Sequence, residues 1–361
     1  MDMHRNTAAA RIGRMAQRPH AALAGVAMVL LLILCAMAAA EPRWSQGQPI
    51  PQGANEVIGA RVGDALLVYG GQSQGGEPMG IFWMYEPSGD KWTQLPSNPV
   101  PVHHATAVGI GNKFYLFGGF VLVKEQDFNG WGPMKNAWVF DLGTHTWSAL
   151  PPMPTARGAL CAATVGRKIY VLGGASIPEG SPLKALIPPG PVQQSDVNEI
   201  FDLDTQTWSK GKPLPTARNH MDAAAVDGKI YVIGGRVLSS FSGGRSLNVF
   251  LNEAYDVATD TWQSKAPMPT PRSGTAKAVV NGRIHILGGE GWIGDLGGVF
   301  RSHEVYDPRT NTWSPAPPML TPRHGFAAAE TNGRIYAVSG VNNAGGAGPL
   351  SVLNVNEIFG D

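Results

Sequence analysis

The chain carries one pattern six times, and this repeat limits its fold more than any other feature. In each copy an apolar stretch ends in a glycine pair, one of them altered to Ser-Gly: LLVYGG, FYLFGG, IYVLGG, IYVIGG, IHILGG and IYAVSG. In five copies an aromatic residue with an acidic neighbour follows, and a Trp stands six or seven residues later. A fixed period of this kind indicates supersecondary units that bury their core by stacking on one another.

The last copy is incomplete, and the start of the repeat region supplies what it lacks. The sixth copy ends at NEIFGD without a Trp. The segment RWSQGQPIP at 43–51 matches TWSKGKPLP at 207–215 in five of nine positions, which places Trp44 where the missing Trp belongs. Pairing the first strand with the last removes the two open sheet edges of a linear array. The sequence therefore predicts a closed ring.

The glycine pair, the aromatic-acid pair and the Trp, in this order, resemble the kelch repeat, in which about 50 residues form one propeller blade. The resemblance covers residues 43–361 and implies an all-β, six-bladed kelch β-propeller of four-stranded antiparallel blades. Residues 41–361 are expected to form a single domain, closed by the N-terminal strand in the last blade. Its structural tryptophans are Trp44, Trp92, Trp147, Trp208, Trp262 and Trp313.

Residues 1–40 have the pattern of a targeting segment. Four arginines precede the apolar run AALAGVAMVLLLILCAMAAA, which ends in an Ala-x-Ala site at Ala40. This order is typical of a secretory signal peptide and predicts export to the periplasm or the extracellular space. The apolar run is also long enough to span a bilayer, so an uncleaved membrane anchor is the alternative.

The composition of the remaining chain excludes several classes of function. Residues 1–40 contain four Arg and one Asp of the 28 basic and 27 acidic residues, so 24 basic and 26 acidic residues remain, a net charge of about −2. We therefore expect no nucleic-acid partner. Only Cys161 remains in 41–361, which rules out an intrachain disulfide and a cysteine metal site there. We expect no cofactor.

We name the four strands of each predicted blade a, b, c and d, in the order of the repeat. The connections between strands b and c, and between one blade and the next, lie together on one face, because strands alternate in direction. On this face the repeats differ most in length, and long loops on a rigid scaffold commonly carry binding residues. Trp131 and Trp292 lie in such loops, outside the repeat pattern. They either stack on a sugar or anchor a protein partner, or they pack down as loop plugs.

Four arginines recur ten residues after a Trp, at the start of the innermost strand: Arg157, Arg218, Arg272 and Arg323. The same four blades have a glutamate two residues before the aromatic: Glu199, Glu253, Glu304 and Glu357. Both charges are absent together from the first two blades. This coupling predicts Arg–Glu pairing inside the wheel, because an unpaired buried charge is costly. The family resemblance adds a second interpretation, in which these arginines bind an acidic partner at the channel mouth.

Three histidines follow a Trp by 11 or 12 residues and could converge on the channel: His103, His220 and His324. Six further polar residues are expected in the same zone: Asn55, Glu56, His104, Asn219, Asp222 and Ser273. The group is either a polar, water-filled channel or an acid–base site. We expect no metal, because no local spacing fixes two ligands on one element.

The sequence favours a non-enzymatic binding module that takes a protein or a glycan on this face, because it has no nucleophile–base or phosphate-loop motif. The alternative is a carbohydrate-active enzyme that resembles the exported six-bladed kelch sialic acid mutarotase, an N-acetylneuraminate epimerase. In that case Arg218 or Arg323 would pair with the carboxylate of the sugar.

Overall fold

Six four-stranded antiparallel sheets form the blades of the propeller. The computed structural model describes residues 42–73, 76–124, 129–182, 184–186, 193–238, 246–293, 296–345 and 352–360. Pro42–Asp361 forms one compact unit. The all-β, six-bladed fold predicted from the repeat is confirmed.

Each blade runs from strand a at the axis to strand d at the rim, and its neighbours pair in the order a, b, c, d. Blade 1 consists of Asn55–Val62, Ala65–Gln72, Pro78–Glu86 and Lys91–Gln94. Blade 2 consists of Thr106–Ile110, Lys113–Phe117, Ala137–Asp141 and Thr146–Ala149. Blade 3 consists of Cys161–Val165, Lys168–Leu172, Asn198–Asp202 and Thr207–Lys210. Blade 4 consists of Asp222–Val226, Lys229–Ile233, Asn252–Asp256 and Thr261–Ser264. Blade 5 consists of Ala276–Val280, Arg283–Leu287, His303–Asp307 and Thr312–Pro315. Blade 6 consists of Ala327–Thr331, Arg334–Val338, Asn356–Gly360 and Arg43–Gln46.

The connections between strands b and c of blades 2 to 5 are not irregular loops. Each contains a two-stranded hairpin: Phe120–Lys124 with Asn129–Pro133, Ala175–Ser176 with Gln193–Gln194, Arg236–Leu238 with Ser246–Asn248, and Glu290–Ile293 with Leu296–Val299. We call the face that carries these hairpins and the blade-to-blade connections the insertion face.

Side-chain size increases from the axis to the rim and gives each blade its wedge shape. Innermost strands are rich in alanine, as in CAATV and DAAAV, which lets six strands approach the axis closely. Strand b is apolar on both faces, as in Ile169–Leu172, because adjacent blades cover both sides. The core accordingly lies between blades. Tyr170 and Leu172 of blade 3, for example, share a cluster with Ile230 and Val232 of blade 4.

The ring is closed as the sequence predicts. Strand Arg43–Gln46 pairs antiparallel with Asn356–Gly360, and Trp44 stands opposite Phe359. The indole Nε1 of Trp44 donates a hydrogen bond to the carbonyl of Pro317, at 2.8 Å. Pro317 lies four residues after Trp313, the Trp of the preceding blade.

All the other framework tryptophans repeat this interblade hydrogen bond. Each indole donates to the carbonyl four residues after the preceding Trp, at 2.8 to 2.9 Å: Trp92 to Gln48, Trp147 to Pro96, Trp208 to Pro151, Trp262 to Lys212 and Trp313 to Ala266. The N-terminal strand, which joins blade 6 without a covalent link to its other three strands, thus makes the same contact with the preceding blade as strand d of every other blade.

The glycine pair meets a steric requirement at the joint between blades. In blade 5 both Gly288 and Gly289 have positive φ, at 54° and 102°. A Cβ on Gly288 would lie 2.6 Å from the carbonyl oxygen of Arg323 in the next blade. The N–H of Gly289 donates to that same oxygen at 2.9 Å. In blade 6 Ser339 replaces the first glycine, and its hydroxyl hydrogen-bonds both the N–H and the C=O of Ala54.

Among the described residues there is no helix that is long and apolar enough to cross a membrane. The signal peptide or anchor predicted for residues 1–40 lies outside the described residues and stays a prediction.

Candidate functional site

One residue from each blade adopts a left-handed backbone conformation where the innermost strands approach the axis. These residues, with φ between 52° and 60°, are Glu56, His104, Ala159, His220, Gly274 and Gly325. Backbone hydrogen bonds of 2.8 to 3.1 Å join neighbours around the axis from His104 through Ala159, His220 and Gly274 to Gly325. Val57 N–H completes the link from blade 1 to the Gly325 carbonyl at 3.2 Å. We call this set the axial ring.

The axial ring holds three chemically active side chains in a strained conformation. Non-glycine residues in the left-handed region cost of order 1 kcal/mol, and such strain clusters at functional sites. Blades 5 and 6 have glycine at this position, so the wheel itself requires no side chain there. Glu56, His104 and His220 therefore stand out as residues that the fold alone does not explain.

Three more ionisable residues join these side chains at the channel mouth. The six residues, which we call the axial cluster, are Glu56, His104, His220, Arg236, Glu290 and His324. They come from five blades and are buried or only partly exposed. Blade 3 contributes no residue to the axial cluster, because its residue in the axial ring is Ala159.

Glu56 lies between two imidazoles. Its Oε2 is 3.5 Å from Nε2 of His104, and its Oε1 is 3.6 Å from Nε2 of His324. The same His324 nitrogen is 3.5 Å from Oε2 of Glu290. The cluster therefore alternates carboxylates and imidazoles at separations that are long for direct hydrogen bonds.

Arg236 links the other half of the cluster. Its Nη1 donates to Oε1 of Glu290 at 2.5 Å, and its Nη2 donates to Nε2 of His220 at 2.8 Å. Asn219 donates through Nδ2 to Gln194, so its Oδ1 is the acceptor for Nδ1–H of His220, at 2.6 Å. His220 thus carries its proton on Nδ1 and presents a lone pair on Nε2.

Burial dominates the electrostatics of the cluster. It lowers the pKa of His104 and of His220 well below the usual value, helped by the positive charge of Arg236, so both imidazoles are neutral at pH 7. Burial raises the pKa of Glu56, against the attraction of His324 and Arg236. At Glu290 burial acts in the same direction, but His324, Arg236 and the N–H of Gly345 outweigh it and lower the pKa.

A cavity of about 100 Å³ lies along the axis directly next to the ring. Its lining includes Glu56, His104 and His220. Asp222 and Lys277, in the innermost strands of blades 4 and 5, also line it. A wider cavity of about 290 Å³, lined mainly by alanines of the innermost strands, lies farther towards the opposite face. The wider cavity also has Arg61, Lys277 and Glu330 in its lining, whereas the two imidazoles line the smaller cavity, at the insertion-face end of the channel.

The two loop tryptophans have different environments. Trp131 packs against the rings of His104 and His103, with centroids 5.0 and 5.2 Å apart, and stacks on Phe120. It therefore covers the histidines, as the plug interpretation expects. Trp292 is 38% exposed and packs over Gly345, whose N–H donates to Glu290 at 2.6 Å. Trp292 is the one of the two that a partner can reach.

The four arginines pair with the glutamates of their own blades, and this prediction is confirmed. The N–O distances are 2.6 Å for Arg157–Glu199, 2.5 Å for Arg218–Glu253, 2.5 Å for Arg272–Glu304 and 2.9 Å for Arg323–Glu357. All four arginine side chains have 0% exposure and also donate to backbone carbonyls, as Arg272 does to Gly288 and Ile286. In this conformation they lie out of reach of a ligand at the channel mouth.

His103 does not converge on the channel with His220 and His324. It is fully buried, its Nδ1 is 2.5 Å from Nδ1 of His104, and its ring faces Phe120 and Trp131. The residue of blade 2 that aligns with His220 in the axial ring is His104, one position later. His324 holds the position of His103 in its own repeat and does enter the cluster, so position within the repeat does not by itself decide which imidazole lies there.

Arg236 and Glu290 were not singled out from the sequence. Each is the residue directly after a glycine pair, where the other blades have Gln72, Phe120, Ala175 or Val341. Backbone bridges join them to the residues that precede the axial ring, Asn219 and Ser273. Opposite charges at this position in two consecutive repeats are the signal that would have identified them.

Large apolar side chains are exposed in one sector of the insertion face. Among the described residues, those with 38 to 80% exposure are Leu247, Phe250, Trp292, Leu296, Leu320 and Val352. All six lie in connections on the insertion face, within or next to blades 4, 5 and 6. Exposed apolar groups gathered in this way mark interaction surfaces.

Comparison with known proteins gives consistent matches. The model of the KLHDC2/KLHL20/DRC7 Kelch-repeats domain matches residues 27–235 and 162–357. Kelch-like protein terF of Aspergillus terreus is 29% identical over 294 residues, which are 79% of this chain and 60% of terF. Kelch-like protein 23 of Mus musculus is 26% identical over 75% of this chain and 43% of its own length. Beta-scruin of Limulus polyphemus is 27% identical over 59% of this chain and 22% of its own length. The chain thus spans less than two thirds of these relatives.

Proposed function

Because this chain belongs to the kelch-repeat family, whose propellers are in general protein-interaction modules, we propose that it binds a protein partner on the insertion face of blades 4 to 6. We further propose that it does so after export, in the periplasm or the extracellular space, since residues 1–40 have the pattern of a signal peptide or anchor.

The observation that carries this proposal is the sector of exposed apolar side chains. Interface cores are rich in aromatic and large apolar residues and are surrounded by polar groups. Phe250, Trp292 and Leu296 are 55%, 38% and 80% exposed, in the strand b to strand c connections of two neighbouring blades. A protein surface with a complementary apolar patch would bury these side chains.

The hairpins that carry these exposed side chains are joined to one another by a hydrogen bond and are packed on neighbouring residues. Asn248, in the hairpin of blade 4, donates from Nδ2 to the backbone carbonyl of Glu290 in the hairpin of blade 5, at 2.7 Å. Gly291 packs closely against Phe300. A surface whose elements are joined in this way loses little conformational entropy when it binds, which favours affinity.

The carbohydrate-enzyme alternative is not put forward. It needs Arg218 or Arg323 to pair with a sugar carboxylate, and both guanidinium groups are fully buried in pairs with Glu253 and Glu357. Breaking such a pair leaves an uncompensated charge in the protein interior and costs about 3 to 5 kcal/mol.

Site-specific photocrosslinking tests the proposal. A photoreactive amino acid at Leu296 or Phe250 of the full chain, expressed in its native cell, is expected to capture one protein. The same amino acid at Arg167, which is exposed in a turn on the opposite face, is the matched control. The variants L296D and F250D should each weaken binding of the captured protein at least tenfold. Equal capture from Arg167, or undiminished binding by both variants, would reject the proposal, and so would binding only to glycans in an array.

Export is tested separately by cell fractionation and by sequencing the N-terminus of the mature protein. A new N-terminus at Glu41, or a membrane-tethered chain with its repeats outside the cytoplasm, supports export. Recovery of the intact chain from the cytoplasm contradicts it.

A further inference from the structure

We propose that the axial cluster binds one divalent transition-metal ion, with Glu56, His104 and His220 as its protein ligands. One potential ligand atom from each of these residues lies within 4.8 Å of the other two. The residues come from three different blades, and the propeller axis is the place where the fold brings them together.

The chemistry of the ligand set selects the class of metal. Two imidazole nitrogens and one carboxylate form the ligand set of catalytic zinc sites and of the facial triad that binds ferrous iron. Calcium and magnesium prefer sites made of oxygen ligands. The cluster therefore suits zinc or a neighbouring first-row metal.

The spacing of His104 and Glu56 agrees with coordination of one metal ion by both residues. Nε2 of His104 lies 3.5 Å from Oε2 of Glu56, which is too long for a strong hydrogen bond. Two ligands bound tetrahedrally at about 2.1 Å from zinc lie about 3.4 Å apart. Nε2 of His324, 3.6 Å from the other oxygen of Glu56, is placed to complete the shell or to hold the carboxylate.

The surroundings orient the ligands in the way that metal sites require. Nδ1–H of His220 donates to Asn219, which fixes the ring and leaves Nε2 with a lone pair. Nδ1 of His104 lies 2.5 Å from His103, so Nε2 is the nitrogen that faces Glu56. Such outer partners set the tautomer and direction of ligand imidazoles. The axial ring fixes the backbone beneath all three ligands.

Arg236 competes with a metal ion for His220, so its removal should change metal affinity in the opposite direction from removal of a ligand. Its Nη2 donates to Nε2 of His220, the nitrogen that the metal needs, while its Nη1 holds Glu290. A metal ion at His220 replaces that hydrogen bond, so the guanidinium and the metal compete for one lone pair. Removing the arginine should therefore strengthen metal binding, whereas removing a ligand should weaken it.

Titration of the full-length protein, purified without a histidine tag and treated with a chelator, tests the site. Cobalt(II) reports coordination by its visible absorption, and zinc(II) competes for the same site. We expect one equivalent to bind. E56Q and H220Q should lower the affinity at least 100-fold, and R236Q should raise it at least tenfold. H145N, which removes an exposed histidine on the opposite face, is the matched control and should leave the titration unchanged.

The result can overturn the proposal in three ways: no saturable binding near one equivalent, equal affinity in E56Q, H220Q and the unaltered chain, or loss of binding in H145N. Circular dichroism establishes that each variant is folded. If H220Q does not fold, the opposite effects of E56Q and R236Q still decide the question. Partner binding on the insertion face is measured without added metal, so failure of one proposal leaves the other intact.

Discussion

Replacing Trp44 by alanine tests whether the N-terminal strand closes the ring. Trp44 is only 8% exposed, and its indole contacts the rings of Phe359 and His303 at centroid distances of 5.3 and 5.7 Å. Its Nε1 donates to Pro317 across the joint between blades 5 and 6. The strand is linked covalently to blade 1, so these contacts and four residue pairs hold blade 6 closed.

The expected loss follows from the buried area. A tryptophan buries about 150 to 250 Å², which at about 25 cal/mol per Å² gives roughly 4 to 6 kcal/mol as an upper limit. The hydrogen bond to Pro317 adds about 1 kcal/mol net. Substitutions of buried tryptophan by alanine cost about 3 to 5 kcal/mol, and we expect W44A to lower the free energy of unfolding by that amount. W44F keeps most of the apolar contact and loses the hydrogen bond, so it should cost about 1 to 2 kcal/mol.

Denaturant unfolding followed by far-ultraviolet circular dichroism measures the difference, because the signal does not depend on the substituted indole. L296A is the control, since Leu296 is 80% exposed and lies outside the repeat pattern, and it should change stability by less than about 0.5 kcal/mol. A W44A variant that unfolds within about 1 kcal/mol of the unaltered chain, or that is as stable as L296A, would refute closure by this strand as a source of stability.

Two further predictions concern buried charges. E253L leaves the guanidinium of Arg218 without its carboxylate and should cost about 3 to 5 kcal/mol. In blade 2 the same two positions hold Val102 and Trp138, and the double variant R218V/E253W, which copies them, should be more stable than E253L in the same unfolding assay. Burial lowers the pKa of His285 to about 4 and that of His303 to about 3, so below pH 6.5 the unfolded chain takes up protons first. The free energy of unfolding should therefore fall as the pH is lowered from 6.5 towards 4, by up to about 1.4 kcal/mol per pH unit for each imidazole. In H303F, which lacks one of these imidazoles, denaturant unfolding at several pH values should show a smaller fall.

Features that recur in every repeat could be predicted from the sequence because each blade has the same neighbours. The Trp44 closure follows from a missing Trp at one end of the repeat region and a surplus one at the other. The pairing of Arg218 with Glu253, and its three counterparts, follows from charges that are present or absent together. In each case the same position can be compared across the repeats. Because equivalent positions lie in equivalent places of the propeller, this comparison predicts which residues are close together.

Features that differ between repeats could not be predicted in the same way. The axial cluster has no local spacing, because Glu56, His104 and His220 come from blades far apart in the chain and meet only when the ring closes. His103 and His324 both lie eleven residues after a Trp, and only His324 enters the cluster, so the Trp spacing does not separate them. The hairpins on the insertion face have no shared pattern, so their strands could not be told from irregular loops.

The two proposals meet at Glu290. Its carboxylate accepts from Arg236, the residue that competes with a metal ion for His220, and from the N–H of Gly345 beneath the exposed ring of Trp292. Its backbone carbonyl accepts from Asn248 in the neighbouring hairpin. A metal ion that releases Arg236 from His220 leaves the guanidinium with Glu290 and Asn219, next to the residues that carry the exposed apolar side chains. If metal and partner change each other's affinity, linkage requires the effect to be reciprocal, and Glu290 is the residue through which these contacts connect the two sites.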